Sequence, residues 1–319
     1  MTDPRLSELG LGVVSGLAAA FFSAVSYLVS RHYGLGQRAL GRRAAALRLL
    51  AVSHLLMAAV CIPLSWAAWP ATSPPLRLFA LPLAASVGFY LLGQSSLFAA
   101  LKRVEASRIA PLLGLKIVML AVMVSLVLGH VLDTRQWLAV TLSVAAAVIL
   151  QAGSGAVPAR AFGFVLSSCL CFAISDLWIV RLIDGLQSGV VASETAISRL
   201  HAGGLAMALT YGVCGVLFLP LVAALRPYTR ADWLAAARYA SAWLLSMAGL
   251  YSCFGLVGVV FGNILQSTRG VMSVALGAAL AHLGWHELEQ RVDRATLLRR
   301  LAAALLMTAA IALYVIDLW

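Results

Sequence analysis

Three polar side chains recur within an otherwise apolar run late in the chain. Gln266, Arg269 and Ser273 stand at positions i, i+3 and i+7 of the segment 263–277, a spacing that predicts one shared helix face. Glycines of the same segment leave space beside that face. A charge in the middle of a membrane helix costs about 2.5–3.5 kcal/mol on insertion scales, so it rarely occurs without a partner or a role. The pattern predicts the wall of a cavity, in which Arg269 can bind an oxyanion through two hydrogen bonds.

A second cation, Lys116, lies at a similar depth in an earlier apolar run. It stands about ten residues into its predicted helix, which is ~15 Å along the axis and near the middle of a ~30 Å hydrocarbon core. Its ammonium group suits a carboxylate or a phosphate. The alternative is a structural ion pair with Asp176, the acidic residue deep in another run. For Arg269, the alternative is hydrogen bonding to backbone carbonyls of a neighbouring helix.

The remaining polar residues of these runs admit two interpretations each. Asp176 either pairs with Lys116 or Arg269, or carries a proton in a coupled cycle, since removal from water favours its uncharged form. Tyr90 and Gln94 lie one turn apart and either line the cavity or form hydrogen bonds between helices. His54 is expected to be a hydrogen-bonded histidine of the core.

The sequence offers little for catalysis or metal binding. His282 and His286 are four residues apart with Glu287 adjacent, a spacing that can hold a metal, but no further ligand is evident and we expect solvated histidines. The five cysteines lie in apolar runs without metal or redox spacing, so we expect buried free thiols. No phosphate loop, catalytic triad order or carboxylate pair is found. We therefore predict no enzyme, no metal and no cofactor.

The composition defines the elements that must position these residues. The chain has 319 residues, of which 62% are hydrophobic and 11% charged, and its mean hydropathy is +0.95. That balance indicates a polytopic membrane protein without a separate soluble domain. The net charge of +11 fits loops that face anionic lipid better than it fits nucleic acid. Partners are therefore the bilayer and a small molecule, with the protein a monomer or a homodimer.

Apolar runs long enough to cross a bilayer predict ten transmembrane helices in an all-α fold. Between the seventh and eighth runs, the segment Arg226–Ala240 is predicted to form a short amphipathic helix on the membrane surface, with Thr229 and Asp232 as a capping signal. The ten spans are 10–30, 45–69, 76–100, 106–128, 135–152, 161–184, 195–224, 240–261, 263–285 and 298–318.

Weak internal similarities indicate a duplication. The segment 45–52 resembles 195–202, which pairs Arg48 with Arg199 at an offset near 150 residues, and the same offset pairs Ser26 with Asp176. The predicted division is a first five-helix repeat at 1–152, a linker at 153–160 and a second five-helix repeat at 161–319. Because each repeat has an odd number of spans, the two must be inverted relative to each other.

Basic residues distribute unequally over the predicted loops. Fifteen lysines and arginines fall on one face of the bundle and four on the other, with four more inside spans. The positive-inside rule then places both termini outside the cytoplasm. The expected location is the cell's inner (cytoplasmic) membrane, crossed many times.

The fourth and fifth runs carry the motifs of a known family. Ala106-Ser107, Ala110-Pro111-Leu112, Leu128-Gly129 and Gln136-Trp137 resemble EamA-like proteins of the drug/metabolite transporter superfamily. Members often have Glu after the Leu-Gly pair, where this chain has His130. They are usually drawn with cytoplasmic termini, contrary to the distribution of basic residues here.

The resemblance implies ten spans in two repeats and a secondary transporter. It also implies a substrate between spans 3, 4, 8 and 9, because related carriers of phosphorylated solutes place basic residues on spans four and nine, where Lys116 and Arg269 stand. We therefore expect an exporter or exchanger of a small, anionic or carboxylate-bearing metabolite. The alternatives are an intramembrane metal-dependent or lipid-handling protein, and a membrane scaffold that transports nothing.

Overall fold

The structure, a computed structural model, consists of helices wherever the chain is described. It describes residues 4–36, 42–101, 103, 111–127, 129, 132–151, 158–188, 198–282 and 294–316. Within these ranges the regular elements are helices and no strand occurs. The all-α prediction is therefore confirmed for the described part of the chain.

The helices follow the predicted apolar runs closely. They are α1 (Pro4–Gly36), α2 (Arg42–Ala67), α3 (Leu76–Leu101), a 3₁₀ helix (Pro111–Gly114), α4 (Leu115–Val127), α5 (Thr134–Gln151), α6 (Ala159–Ser188), α7 (Arg199–Ala224), α8 (Arg230–Val257), α9 (Val259–Ser267), α10 (Arg269–His282) and α11 (Arg294–Ile316). By length and apolar composition, α1, α2, α3, α6, α7 and α8 each contain a segment able to cross a membrane, whereas α4, α5 and α11 contain shorter apolar segments.

Two of the predicted spans are not uniform α-helices. The described part of span four begins as the 3₁₀ helix at Pro111 and continues as α4. Span nine begins earlier than predicted, at Val259, and breaks at Thr268 between α9 and α10. At that break the Ser267 and Thr268 hydroxyls donate to backbone carbonyls three residues earlier, at 2.6 and 2.7 Å. Such bonds compete with the regular helix ladder and locally tighten the turn.

The predicted surface helix before span eight is wrong. Residues 230–240 form the first turns of α8, which continues without interruption to Val257. Thr229 and Asp232 form a capping box, as their spacing predicted, and so begin this long helix. Tyr239 is buried in the bundle instead of lying at the membrane surface.

Helices from the two parts of the chain pack against each other in a pattern that repeats. The main partnerships are α1 with α8, α3 with α6, α2 with α7, and α5 with α11. Each helix of the first part has a counterpart about 150 residues later. Replacing every helix by its counterpart turns the partnership α1–α8 into α6–α3 and the reverse. It leaves α2–α7 and α5–α11 unchanged. Contacts between α1 and α10 and between α6 and α4 interchange in the same way.

Glycines permit the closest of these approaches. A Cβ atom on Gly215 would lie 2.5 Å from the His54 carbonyl oxygen, and one on Gly249 would lie 2.6 Å from that of Ser15. A Cβ on Gly185 would also meet the Leu78 carbonyl of α3. Small residues at such crossings allow backbones to pack tightly in a membrane, where helix association depends on van der Waals contact.

The arginines near the starts of α2 and α7 each take part in a polar cluster at helix ends. Arg48 approaches Asp232 of α8 at 3.9 Å, and the same carboxylate accepts a hydrogen bond from Tyr33 of α1. Arg199, about 150 residues after Arg48, lies 3.7 Å from Asp184 near the end of α6 and donates to the Gly255 carbonyl at 3.1 Å. The first cluster joins α1 and α2 to α8, whereas the second lies among α6, α7 and α8.

Candidate functional site

The buried carboxylate of Asp176 joins predicted spans four and nine. Its Oδ2 atom accepts hydrogen bonds from Lys116 Nζ of α4 and from Asn263 Nδ2 of α9, each at 2.8 Å. The same Asn263 amide also donates to the Val259 carbonyl at 2.9 Å, which fixes its orientation. Lys116 and Asp176 therefore form the ion pair that was one of the two interpretations of their depth. The pair is charge-compensated and extensively hydrogen-bonded, as a buried ion pair requires.

Arg269 is the first residue of α10 and has a different environment. Its Cζ atom lies 5.6 Å from the ring centroid of Tyr27 on α1, a cation–π geometry. No carboxylate of the described ranges lies within ion-pair distance of this guanidinium. A tyrosine ring attracts a cation but carries no net charge, so the positive charge of Arg269 is not neutralised by this contact.

The two cations occupy equivalent places in the bundle. Lys116 is the second residue of α4, directly after the 3₁₀ helix. Arg269 is the first residue of α10, about 150 residues later and directly after the break at Thr268. Each contacts the opposite part of the chain, with Lys116 on α6 and Arg269 on α1. The positions match, but among the described residues only Lys116 has a carboxylate partner.

Gln266 and Ser273 do not share one uninterrupted helix with Arg269. Gln266 lies near the end of α9 and is buried, whereas Ser273 lies in α10 and is half-buried. The break at Thr268 falls between them because of the hydroxyl-to-carbonyl bonds described above. Their predicted contact with a solute remains a prediction.

Tyr90 and Gln94 take part in one chain of hydrogen bonds with His54. Leu50 carbonyl lies 2.8 Å from His54 Nδ1, so this nitrogen carries the proton in the neutral ring and Nε2 is the acceptor. The Tyr90 hydroxyl then donates to Nε2 at 3.1 Å and accepts from Gln94 Nε2 at 3.2 Å. The expectation of a hydrogen-bonded core histidine is confirmed, since His54 is 1% exposed.

Aromatic rings surround this chain of hydrogen bonds. His54 stacks on Phe218 with 4.4 Å between centroids, and Tyr90 lies 6.2 Å from Phe172 and 6.1 Å from Tyr211. Phe172 precedes Asp176 by one turn of α6. A largely apolar, aromatic environment with a few oriented polar groups is typical of small-molecule sites.

Sequence reasoning missed two residues of these clusters. Asn263 was noted only as the edge of the polar segment, and Tyr27 was not noted at all. An asparagine in a membrane run signals a hydrogen bond between helices, so Asn263 could have been found. Tyr27 gives no such signal, because its contact depends on how α1 crosses α10.

The residues proposed for a metal site lie mostly outside the described ranges. His282 ends α10, while His286 and Glu287 are not described. Among the described residues no three metal-ligating side chains come together. The cysteines are free, with four buried and Cys171 partly exposed, which agrees with the expected free thiols.

The fold and the buried charges define an integral membrane protein with apolar spanning helices and a polar interior. Residues 10–151 match the model of the EamA-like transporter family. This match confirms the resemblance to the drug/metabolite transporter superfamily over the predicted first repeat. Several of the motif residues that suggested it, including Ser107 and His130, lie outside the described ranges. The apolar helices together with this match indicate a multi-pass membrane protein.

Comparison with solved structures agrees with this assignment of the fold. Twenty-eight chains match significantly. One of them, described only as the crystal structure of a protein, is similar with a TM-score of 0.63 at 16% sequence identity, over 96% of this chain and 96% of its own. At that identity the likeness concerns the fold. No curated protein matches the chain significantly.

Proposed function

We propose that the protein is a secondary transporter, an exporter or exchanger, for a small organic anion or a carboxylate-bearing metabolite. The observation that carries this proposal is Arg269. It begins α10 at a break in a membrane span, and no carboxylate of the described ranges compensates its charge. Helix N-termini favour anions, and interrupted helices in corresponding halves are typical of transporter binding sites.

The proposed architecture is ten spans in two inverted five-helix repeats, 1–152 and 161–319, joined by the linker 153–160. The symmetric partnerships of the helices support it, as does the equivalent placement of Lys116 and Arg269. The two halves would move around the site to expose it alternately to the two sides of the inner membrane.

Lys116 and Asp176 would act together in this cycle. Asp176 neutralises Lys116 at 2.8 Å. An anion that approached Lys116 would compete with this carboxylate, and the displaced Asp176 could then accept a proton. Asp176 is therefore our candidate for proton coupling, and Lys116 for a conditional contact with the solute.

The neutral polar residues would complete the site. Tyr90 and Gln94 are oriented by their hydrogen bonds to each other and to His54, which suits them to a polar group of the solute. Gln266 and Ser273 flank Arg269 on either side of the break. We assign them the remaining oxygen atoms of the solute.

Transport by purified protein in liposomes tests the proposal. The test panel contains L-alanine, L-phenylalanine, succinate, citrate, glycerol 3-phosphate and glucose 6-phosphate, with uncharged glycerol as a reference. We expect the wild type to transport at least one of the carboxylate- or phosphate-bearing compounds. Arg269→Gln should reduce that transport by a factor of roughly ten to a hundred, as expected for losing a charge-assisted hydrogen bond.

A matched arginine outside the site provides the control. Arg238 is exposed on α8, and Arg238→Gln should transport like the wild type. Equal transport by the wild type and Arg269→Gln would remove Arg269 from the site. Transport of glycerol alone would contradict the anionic class of solute.

A further inference from the structure

Ser23 of α1 has an unusual hydroxyl group. Its side chain is completely buried. Among the described residues, its Oγ is a buried polar atom for which no hydrogen-bond partner is found. Other buried serines of these helices donate to a backbone carbonyl, as Ser53 does to Leu50 and Ser143 to Ala139. A buried hydroxyl that lacks a partner is rare in native proteins and calls for an explanation.

The usual acceptor for Ser23 is already occupied. In a helix, a serine hydroxyl commonly donates to the carbonyl four residues earlier, which here belongs to Ala19. That oxygen already accepts the helical backbone bond, and it also accepts from Ser246 Oγ of α8 at 2.7 Å. Its two lone pairs are therefore used. The packing of α8 on α1 therefore removes this acceptor from the Ser23 hydroxyl.

Ser23 lies on the face of α1 that meets α9 and α10. Gly16, seven residues earlier, packs against Leu265 of α9, and Tyr27, four residues later, holds the Arg269 cation. Positions separated by four and seven residues share one helix face, and neighbours at i and i+4 have their Cβ atoms about 5–6 Å apart. Ser23 is thus placed between the contacts of Leu265 and Arg269, beside the break at Thr268.

We propose that the Ser23 hydroxyl donates a hydrogen bond to the anionic group of the solute held by Arg269. This inference rests on the proposed function and assigns α1 a direct part in recognition. A carboxylate or phosphate oxygen would give Ser23 its missing acceptor, while Arg269 supplies the charge. The site would then distinguish an oxyanion from an uncharged solute of similar size by two groups from opposite parts of the chain.

The test compares two serines of the same helix. Ser23→Ala and Ser26→Ala each remove one buried hydroxyl, but that of Ser26 is bonded to the Ser23 carbonyl at 2.7 Å. Both variants are measured in liposomes with the panel compounds that the wild type transports. Ser23→Ala should raise KM roughly tenfold or more, the effect of losing a hydrogen bond to a charged group. Ser26→Ala should leave KM unchanged.

Thermal unfolding without solute separates recognition from a structural role. Because the Ser23 hydroxyl has no protein partner to lose, Ser23→Ala should unfold at the wild-type temperature or above it. Ser23→Cys, which keeps a weak donor of similar size, should show an intermediate KM. An unchanged KM in Ser23→Ala overturns the inference, whatever happens to the unfolding temperature.

The outcome also distinguishes this inference from the function beneath it. If Arg269→Gln loses transport while Ser23→Ala keeps the wild-type KM, the anion transporter stands and the role of Ser23 is wrong. If the wild type transports none of the carboxylate- or phosphate-bearing compounds of the panel, both proposals fail together.

Discussion

At the scale of single residues, the two cations Lys116 and Arg269 have different partners. Lys116 has a carboxylate at 2.8 Å, whereas Arg269 faces the ring of Tyr27. A cation–π contact contributes about 0.5–2 kcal/mol, less than the cost of an uncompensated charge in hydrocarbon. Arg269 therefore gains more from a bound anion than Lys116 does, since Lys116 must first give up Asp176.

A double-mutant cycle on Lys116 and Asp176 tests whether their pair is structural. Lys116→Gln or Asp176→Asn alone leaves one buried charge without its partner, and each should destabilise the protein by about 3–5 kcal/mol. The combined variant removes both charges and should recover most of that loss. The free energy of unfolding of the purified protein, measured in detergent, gives the three values.

The double variant also separates structure from transport. If it is as stable as the wild type but transports the panel anions poorly, the pair serves the cycle as well as the fold. If the loss of unfolding free energy in the double variant equals the sum of the two single losses, Lys116 and Asp176 are not energetically coupled. The interpretation of their contact as a stabilising ion pair would then be wrong.

At the scale of elements, Gly258 separates α8 from the start of the ninth predicted span. This residue ends α8 and precedes α9 with φ 84° and ψ 164°, a backbone conformation that is essentially restricted to glycine. The conformation lets α9 start directly after α8 and turn back across the bundle, so that Asn263 meets Asp176. With a helical conformation at residue 258, α8 and α9 would form one continuous helix.

Gly258→Ala should therefore destabilise the protein through its backbone alone. A Cβ atom at Gly258 would meet nothing within 4 Å, so the expected loss is the strain of about 1–3 kcal/mol. Gly163 is the control, because it lies inside α6 and also has open space around a Cβ. Gly163→Ala should be neutral or stabilising by up to about 1 kcal/mol. Thermal unfolding of both variants decides, and equal shifts would show that Gly258 carries no special strain.

The sequence predicts where helices lie better than where they break. Apolar runs located α1 to α3, α6 and α7 because about 20 apolar residues have few other places to go. The capping box at Thr229 and Asp232 was also visible, but the surface helix assigned to it was wrong. Nothing in the sequence separates Gly258 from the chain's other 25 glycines, since a need for positive φ is a property of the folded path.

The candidate site was predictable in its charges and less so in its geometry. Lys116, Arg269 and Asp176 stand out in any apolar sequence, and their pairing was one of two stated alternatives. Whether Asp176 pairs with Lys116 or with Arg269 depends on how α4 crosses α6. The positions of these residues along the sequence do not determine that crossing. Nothing in the sequence marks Ser23, because its unusual environment depends on a tertiary contact. The Ala19 carbonyl, four residues before Ser23, already accepts a hydrogen bond from Ser246 of α8.

At the scale of the whole molecule, the helix partnerships repeat between the two parts of the chain. The partnerships α1–α8 and α3–α6 each join one part to the other, and they interchange when each helix is replaced by its counterpart about 150 residues away. The proposed alternating access would require a second conformation in which the two parts have exchanged these roles. The cluster of Arg48, Asp232 and Tyr33 joins α1 and α2 to α8 on one side of the bundle, and its counterpart around Arg199 does not reach the first part in this way. The conformation described is therefore asymmetric.

Inversion of the repeats and the orientation of the chain can be tested with two introduced cysteines. Thr72 lies in the connection between α2 and α3, and Arg226 in its counterpart between α7 and α8; both are exposed. An odd number of spans per repeat puts these connections on opposite faces, and the basic residues at 226 and 230 place the second in the cytoplasm. In intact cells a membrane-impermeant maleimide should label Thr72→Cys, and it should label Arg226→Cys only after permeabilisation. The unaltered protein, whose five cysteines lie in helices, gives the background. If Arg226→Cys is labelled in intact cells and Thr72→Cys only after permeabilisation, the orientation of the chain is the reverse of the one predicted, and the inverted repeats are retained. If both positions are labelled from the same side, the inverted repeat is contradicted.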